Sequence, residues 1–236
     1  MARLLAIDTS SSWCSVALSA GTAKPLFRHE KLSATASQNL LPWIEALLQE
    51  AEIDPQDLDA IAVGVGPGAF TGVRLGVAVT QGLALSANLP VIPVISLDAI
   101  AAQFSHKDQA NSSAKNLVVA IDARMDEVYW AQYQLQSNAF PKRISEVKLS
   151  SPETVDFSEA DVVIGSAIVE FGNRLAIPKT TIQNAQIGIH SLGVLMLAQS
   201  MWDQDLQISV DRLEPLYIRN KVAFTTEERL QNTLVK

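Results

Sequence analysis

The chain has little of what most site chemistries require. It holds one cysteine, Cys14, among 236 residues, so no internal disulfide can form and a reducing compartment is expected. Histidine is almost as scarce. His29, His106 and His190 lie far apart, with no H-x-x-x-H or H-E-x-x-H spacing to place two of them on one helix face around a metal. No metal site is expected, and the three histidines read as ordinary surface or satisfied polar residues. No G-x-S-x-G elbow is present to activate a serine. Cys14 lies mid-strand, where a buried apolar role suits it better than nucleophilic attack. Positive charge is also short. Eighteen basic against 25 acidic residues leave a net charge of −7, and no basic-plus-aromatic strip breaks the pattern, so nucleic acid is repelled at long range. No apolar run reaches the length of a membrane span; Arg74, Gln81 and Asn88 interrupt the richest stretch. The opening "MARLLAIDTSSS" has one basic residue and an apolar run too short for a signal peptide. A cytoplasmic protein without a membrane partner is expected.

What is present is apolar and regularly patterned. Hydrophobic residues make up 48% of the chain, enough for a large core. "RLLAIDT" (3–9) and "WCSVALSA" (13–20) read as a hairpin across a serine-rich turn, with a third strand near 24–32. In "SQNLLPWIEALLQEAEI" (37–53), Leu40, Ile44, Leu47, Leu48 and Ala51 share one helical face, with Ser37 as N-cap. A strand at 59–66, a long helix at 70–87 and a strand at 89–97 follow. This alternation predicts an α/β layer with parallel pairing. After the polar stretch 105–116 the theme returns. "LVVAIDARMDEVYWAQYQ" (117–134) repeats "LLAIDTSSSWCSVALS" (4–19), each an apolar strand ending in Ala-Ile-Asp, a short turn and a second strand. Asp8 and Asp122 occupy equivalent places, which points to an internal duplication. Further on, 160–167 reads as a strand and 188–202 as a helix.

The densest signal is "VGVGPGAFTGVRLG" (63–76). It is not the nucleotide loop G-x-x-x-x-G-K-[ST], because no lysine follows the glycines, and it is not G-x-G-x-x-G, because Ala69 and Thr71 stand where the third glycine is needed. Gly66-Pro67-Gly68 reads as a tight turn with a positive-φ glycine; free N–H groups at the helix start leave anion binding open. Gly72, Gly76 and Gly82 then fall inside the helix, each costing about 1 kcal/mol relative to alanine. Close packing must offset that cost, either on the chain's own sheet or against a second subunit. Asp8 and Asp122 each cap a hairpin turn through an Asx bond, or flank a metal–phosphate between two lobes.

Together "LLAIDTS", "GVGPGAFTGVRLGVAVTQGLAL", "AIDARMDEVYWAQY" and "EPLYIRN" resemble the TsaB (YeaZ) family; the strings G-P-G-x-F-T-G-[VL]-R and I-D-A-R-M-x-E-V-Y-W in this order are highly specific. The resemblance implies an actin/Hsp70-like duplicated two-lobed α/β fold: an N-terminal lobe at 1–106, a C-terminal lobe at 107–213, and a tail at 214–236 packing back on the N-terminal lobe. It implies a non-catalytic accessory role in making N6-threonylcarbamoyladenosine at tRNA position 37, through binding the catalytic paralogue TsaD and the ATPase TsaE, with tRNA held only through that complex. It implies a homodimer of the isolated chain through the first two helices. The interface residues expected from it are Leu40, Leu41, Ile44, Leu47, Gly72, Val73, Gly76, Val77, Thr80 and Leu83. Weak ATP or ADP binding would fall to Asp8, Gly64, Gly68 and Asp122, although Asp8-Thr9-Ser10 lacks the glycine of the D-x-G start of true actin-like ATPases. A second departure is Ala36, where family members often carry histidine. The rival readings are an actin-like ATP hydrolase and a peptidase.

Overall fold

Apolar side chains on both sides of the first strands require cover on two faces, and the topology supplies it. The computed structural model describes residues 1–21, 24–31, 36–104 and 114–219. In the first lobe β1 (Arg3–Asp8), β2 (Trp13–Ala20), β3 (Leu26–Lys31), β4 (Ala60–Gly66) and β5 (Val91–Ile95) form one sheet in the order β3-β2-β1-β4-β5. The β1/β2 and β2/β3 pairs are antiparallel, and β1/β4 and β4/β5 are parallel. Leu5, Ile7, Val16, Leu18, Ile61 and Val63 face α1 (Ala36–Glu50) and α2 (Phe70–Ala87). Leu4, Ala6, Ala17, Ala60 and Ala62 face the opposite way, into the core shared by both lobes. Four of these five are alanines, which lets a helix lie close to the sheet.

The second lobe repeats the plan. β6 (Asn116–Asp122), β7 (Val128–Gln136), β8 (Ala139–Arg143), β10 (Val162–Ile164) and β11 (Ile182–Asn184) are ordered β11-β10-β6-β7-β8, and β9 (Lys148–Ser150) pairs with β7. The β6/β7 hairpin is antiparallel, while β10 and β11 join in parallel. Strand for strand this is the first lobe again. The helical layer is reduced: among the described residues a 3-10 turn at Pro152–Thr154 stands between β9 and β10 where the first lobe has α1, and α4 (Ala167–Phe171) is five residues long.

Each lobe ends in a helix that crosses over. α3 (Ser96–Gln103) follows β5 and packs on β6, β7 and β8; α5 (Ser191–Trp202) follows β11 and packs on β1, β2, β4 and β5. Gly193 of α5 meets the Ala99 carbonyl of α3, and the Ser15 hydroxyl donates to that of Ser191 at 2.7 Å. Two duplicated α/β lobes locked by exchanged terminal helices constitute the actin/Hsp70-like fold.

Local expectations were corrected at element ends. The first helix begins at Ala36, so Ser37 lies in its first turn and does not cap it. The strand expected at 89–97 stops at Ile95, and Ser96 and Leu97 open α3. Most of the 105–116 boundary stretch, with His106, and residues 220–236 of the expected tail lie outside the described residues. No helix of the described residues is long and apolar enough to cross a membrane.

Candidate functional site

A cleft of about 860 Å³ opens between the lobes. Its walls include the β1–β2 turn at Ser10–Trp13, the corner at Pro67–Phe70, the β6–β7 turn at Asp122–Met125, the start of α5 at His190, and Leu216–Arg219. The two hairpin turns face each other because the lobes are copies.

On the first-lobe side the turn is built around Asp8, which is 1% exposed. Its Oδ1 accepts the Ser10 N–H at 3.0 Å, and the Ser10 hydroxyl lies 3.1 Å from both carboxylate oxygens. Burial pushes the Asp8 carboxyl up to about 7, against the opposing pull of the Ser10 amide and hydroxyl. The glycines of the corner are the complement of this turn. A Cβ on Gly64 would strike the Asp8 carboxylate; on Gly68, the Ser10 carbonyl; on Gly72, the Thr9 carbonyl. On Gly76 it would sit 2.9 Å from Thr9 Oγ1 and 3.4 Å from Val63. Thr9 Oγ1 then donates to the Gly72 carbonyl at 2.6 Å. The two sequence motifs are one contact: four glycines leave the notches that Asp8, Thr9 and Ser10 fill. Gly66, at φ +101°, makes the turn into Pro67 as expected.

That contact also takes up one amide at the start of α2. The Ala69 N–H, which would be free in an anion cradle, donates to the Ser10 carbonyl at 2.6 Å. Asp8 and Gly64 are absent from the cleft wall, whereas Gly68 and Asp122 are part of it. The four positions named for nucleotide are therefore divided, two behind the wall and two on it. Among the described residues no three His, Cys, Asp or Glu side chains gather as they would around a metal ion.

The second-lobe turn has the same Asx bond, with Asp122 Oδ1 accepting the Arg124 N–H at 2.7 Å. Both aspartates cap their hairpins, as the capping reading required. Beyond it Arg124, Met125 and Asp126 all have positive φ, at 60°, 56° and 63°, a costly run for residues with side chains. Arg174, whose Nη1 and Nη2 donate to the Asp126 carboxylate at 2.5 and 2.8 Å, and Arg219 hold the run from its two sides. Arg219 Nη2 donates to the carbonyls of Ala123 (3.0 Å) and Arg124 (3.1 Å) and to Glu127 Oε2 (2.6 Å).

Histidines remote in sequence meet at the cleft. Trp13 stacks on His29 at 4.5 Å with the rings 2° from parallel, and His29 lies 4.0 Å from His190. His190 Nδ1 accepts the Leu192 N–H at 3.1 Å and so caps α5. Burial lowers His190 to about 4, with His29 adding to the effect, and burial lowers His29 as well. Sequence reasoning placed both histidines as scattered; only the crossing of α5 onto the first sheet brings them together. The role of Arg219 in the turn was also missed, although it stands in the "EPLYIRN" string.

The residues named for a partner interface point mostly inward. Leu40, Ile44, Leu47, Val73, Val77 and Thr80 are at most 5% exposed, and Gly76 is buried against Thr9. They pack on this chain's own sheet, which the 3.6-residue stripe predicts without saying what lies opposite. Gly72 abuts Thr9 and half-buried Leu83 packs against the first-lobe core, leaving Leu41 (50% exposed) of that set turned outward. Beside Leu83 on α2, Ala78, Gly82 and Leu85 are exposed, and Gly82 has open space where a Cβ would stand.

Residues 30–200 match the profile of a family described as TsaD, tRNA N6-adenosine threonylcarbamoyltransferase. The Escherichia coli (strain K12) protein called tRNA threonylcarbamoyladenosine biosynthesis protein TsaB is 34% identical over 229 residues, covering 94% of this chain and 96% of that protein. The chain belongs to the TsaB family. The TsaB protein of Haemophilus influenzae is likewise 34% identical, with 94% and 95% covered. The solved structure of YeaZ from Pseudomonas aeruginosa superposes with a TM-score of 0.79 at 36% identity, over 92% of this chain and 100% of that one. In this TsaB-family chain the sheet of the first lobe recurs in the second, and the first lobe's glycine corner is filled by the chain's own turn.

Proposed function

We propose that this chain is the non-catalytic accessory subunit in threonylcarbamoylation of adenosine at tRNA position 37, acting by binding the catalytic paralogue TsaD together with the ATPase TsaE. The observation that carries the non-catalytic reading is the closed corner: Ser10 accepts the Ala69 amide and seals Asp8 away from the cleft. A hydrolase of actin type needs that carboxylate and those amides facing ATP. Membership of a family whose named relatives belong to tRNA threonylcarbamoyladenosine biosynthesis supports the pathway. The partner surface is the outer side of α1 and α2, where Ala78, Gly82 and Leu85 make an exposed strip along α2, Leu41 is exposed on α1, and Gly82 leaves room for a close backbone. The same strip holds a second copy when the chain is alone.

Reconstitution tests this. With TsaD, TsaE, tRNA, ATP and the threonylcarbamoyl donor present, modified adenosine is expected only when this chain is added, and the chain alone is expected to turn over no ATP. ATP turnover by pure chain, abolished by Asp8→Asn, would overturn the reading in favour of the hydrolase.

A further inference from the structure

The lobes are joined by the crossed helices α3 and α5 over one shared core, a packed joint that allows small sliding of helices. A second connection runs along the cleft. In the first lobe Gln81 Nε2 donates to the Leu213 carbonyl at 2.8 Å, the Leu216 N–H donates to the Val65 carbonyl at 2.8 Å, and Arg74 Nε donates to the Tyr217 hydroxyl at 2.9 Å. Arg74 is itself held 3.7 Å over the Phe70 ring. Two residues beyond Tyr217 the segment reaches the other lobe, where Arg219 grips the β6–β7 turn. The Arg219 side chain is 11% exposed and its guanidinium lies 5.9 Å over the Tyr129 ring. We propose that residues 213–219 are a latch that fixes the angle between the lobes, with Arg219 as its bolt.

The physics of each end differs, which is what a latch requires. The first-lobe end is held by two hydrogen bonds between uncharged groups, by the Arg74 guanidinium on Tyr217 and by the buried Leu213, so it has several independent attachments. The second-lobe end depends on one cation, whose Nη2 reaches two carbonyls and one carboxylate and whose Nη1 reaches the Met125 sulfur at 3.2 Å. Those carbonyls belong to a turn with three consecutive left-handed residues. Losing Arg219 removes the partner of these acceptors and leaves Arg174 on Asp126 to hold the turn within its own lobe, so the lobes gain freedom to slide at the α3/α5 joint while the shared core keeps them folded.

Spin labels at Glu45→Cys on α1 and Glu159→Cys in the second lobe, both at exposed positions, report the angle as a distance distribution. Cys14 stays unlabelled because it is buried and its thiol is pushed up to about 11. With the labelled chain diluted into unlabelled chain so that a second copy adds no distance, one narrow distance is expected for the parent, and a broader distribution displaced from it for Arg219→Ala with circular dichroism unchanged. Amide exchange across residues 124–127 is expected to quicken about tenfold in the same variant, with that of β1 and β4 unchanged. An unaltered distance distribution in folded Arg219→Ala would overturn the latch. If Arg219→Ala does not fold, Arg219→Gln carries the same two outcomes, since glutamine keeps a polar side chain there without the cation or the reach. The readout is lobe geometry and not tRNA modification, so the latch and the accessory-subunit reading fail separately.

Discussion

Burial disfavours the charged forms of Asp8 and His190, and the two pull stability in opposite directions with pH. Asp8 has an ordinary value of 3.8 and a folded value of about 7, so its proton is bound more tightly in the folded chain. The stability this contributes is fully present below about pH 4 and lost as the pH rises through 7. Asp8→Asn keeps the shape against Gly64 and an acceptor for the Ser10 amide, and it has no charge to bury. It is expected to be more stable than the parent by about 2 kcal/mol at pH 8 and equal to it near pH 4; urea unfolding at both pH values checks this, and equal stability at pH 8 would count against it. His190 is the reverse case, lowered from 6.5 to about 4. Its stability is present above pH 6.5 and lost as the pH falls toward 4. His190→Asn retains an N-cap for α5 and removes the titration. Between pH 7.5 and 4.5 the parent should lose about 1 kcal/mol more than this variant, a figure discounted for the half-exposed ring. Chemical denaturation of the two proteins in parallel measures the difference, and parallel curves would refute it.

At the scale of the element, α2 shows what a glycine-rich helix is for. Gly72 and Gly76 admit the Thr9 turn and Gly82 admits nothing from this chain, so equal costs in propensity have unequal compensation. Gly76→Leu must displace Thr9 and Val63 and is expected to destabilise the fold by about 3 kcal/mol. Gly82→Ala is expected to stabilise it by about 0.5–1 kcal/mol. Thermal unfolding of both variants decides, and a Gly76→Leu that unfolds like the parent would mean the helix faces away from its sheet. The features legible in the sequence are the local ones. The hairpin repeat at Asp8 and Asp122, the parallel β–α alternation and the turn at Gly66 each follow from residues adjacent in the chain. α3 was hidden because Ile95-Ser96-Leu97 continues the apolar run of β5, and only Ile92, Val94 and the lobe-two strands reveal where it packs. β9 and β11 are three residues long and carry too little pattern to read. The stripe Leu40, Ile44, Leu47 announced a buried face correctly; a period of 3.6 residues cannot distinguish a sheet from a partner as the thing that buries it.

On the whole molecule the same ambiguity moves outward to the other side of the helices. A net charge of −7 keeps copies of the chain apart, so association through α1 and α2 has to come from apolar contact strong enough to offset that repulsion. Leu85 is 68% exposed and Leu41 50% exposed, and neither contributes to the core at that exposure, so replacing either leaves the fold a fair test of the surface. Leu85→Glu and Leu41→Glu each add a negative charge to a strip that a second acidic copy must approach. Each is expected to weaken self-association about 10- to 100-fold, the equivalent of about 1.4–2.8 kcal/mol, and to weaken capture of TsaD in the same order. Light scattering across a concentration series gives the first quantity and titration with TsaD the second, with circular dichroism confirming a parent-like fold. Gly82→Ala serves as the internal comparison, because it stabilises α2 and yet fills the space a partner backbone would enter. If the strip is the partner surface, Gly82→Ala raises the unfolding temperature and lowers association in one protein. Raised stability with association intact in all three variants would place the partner elsewhere on the molecule.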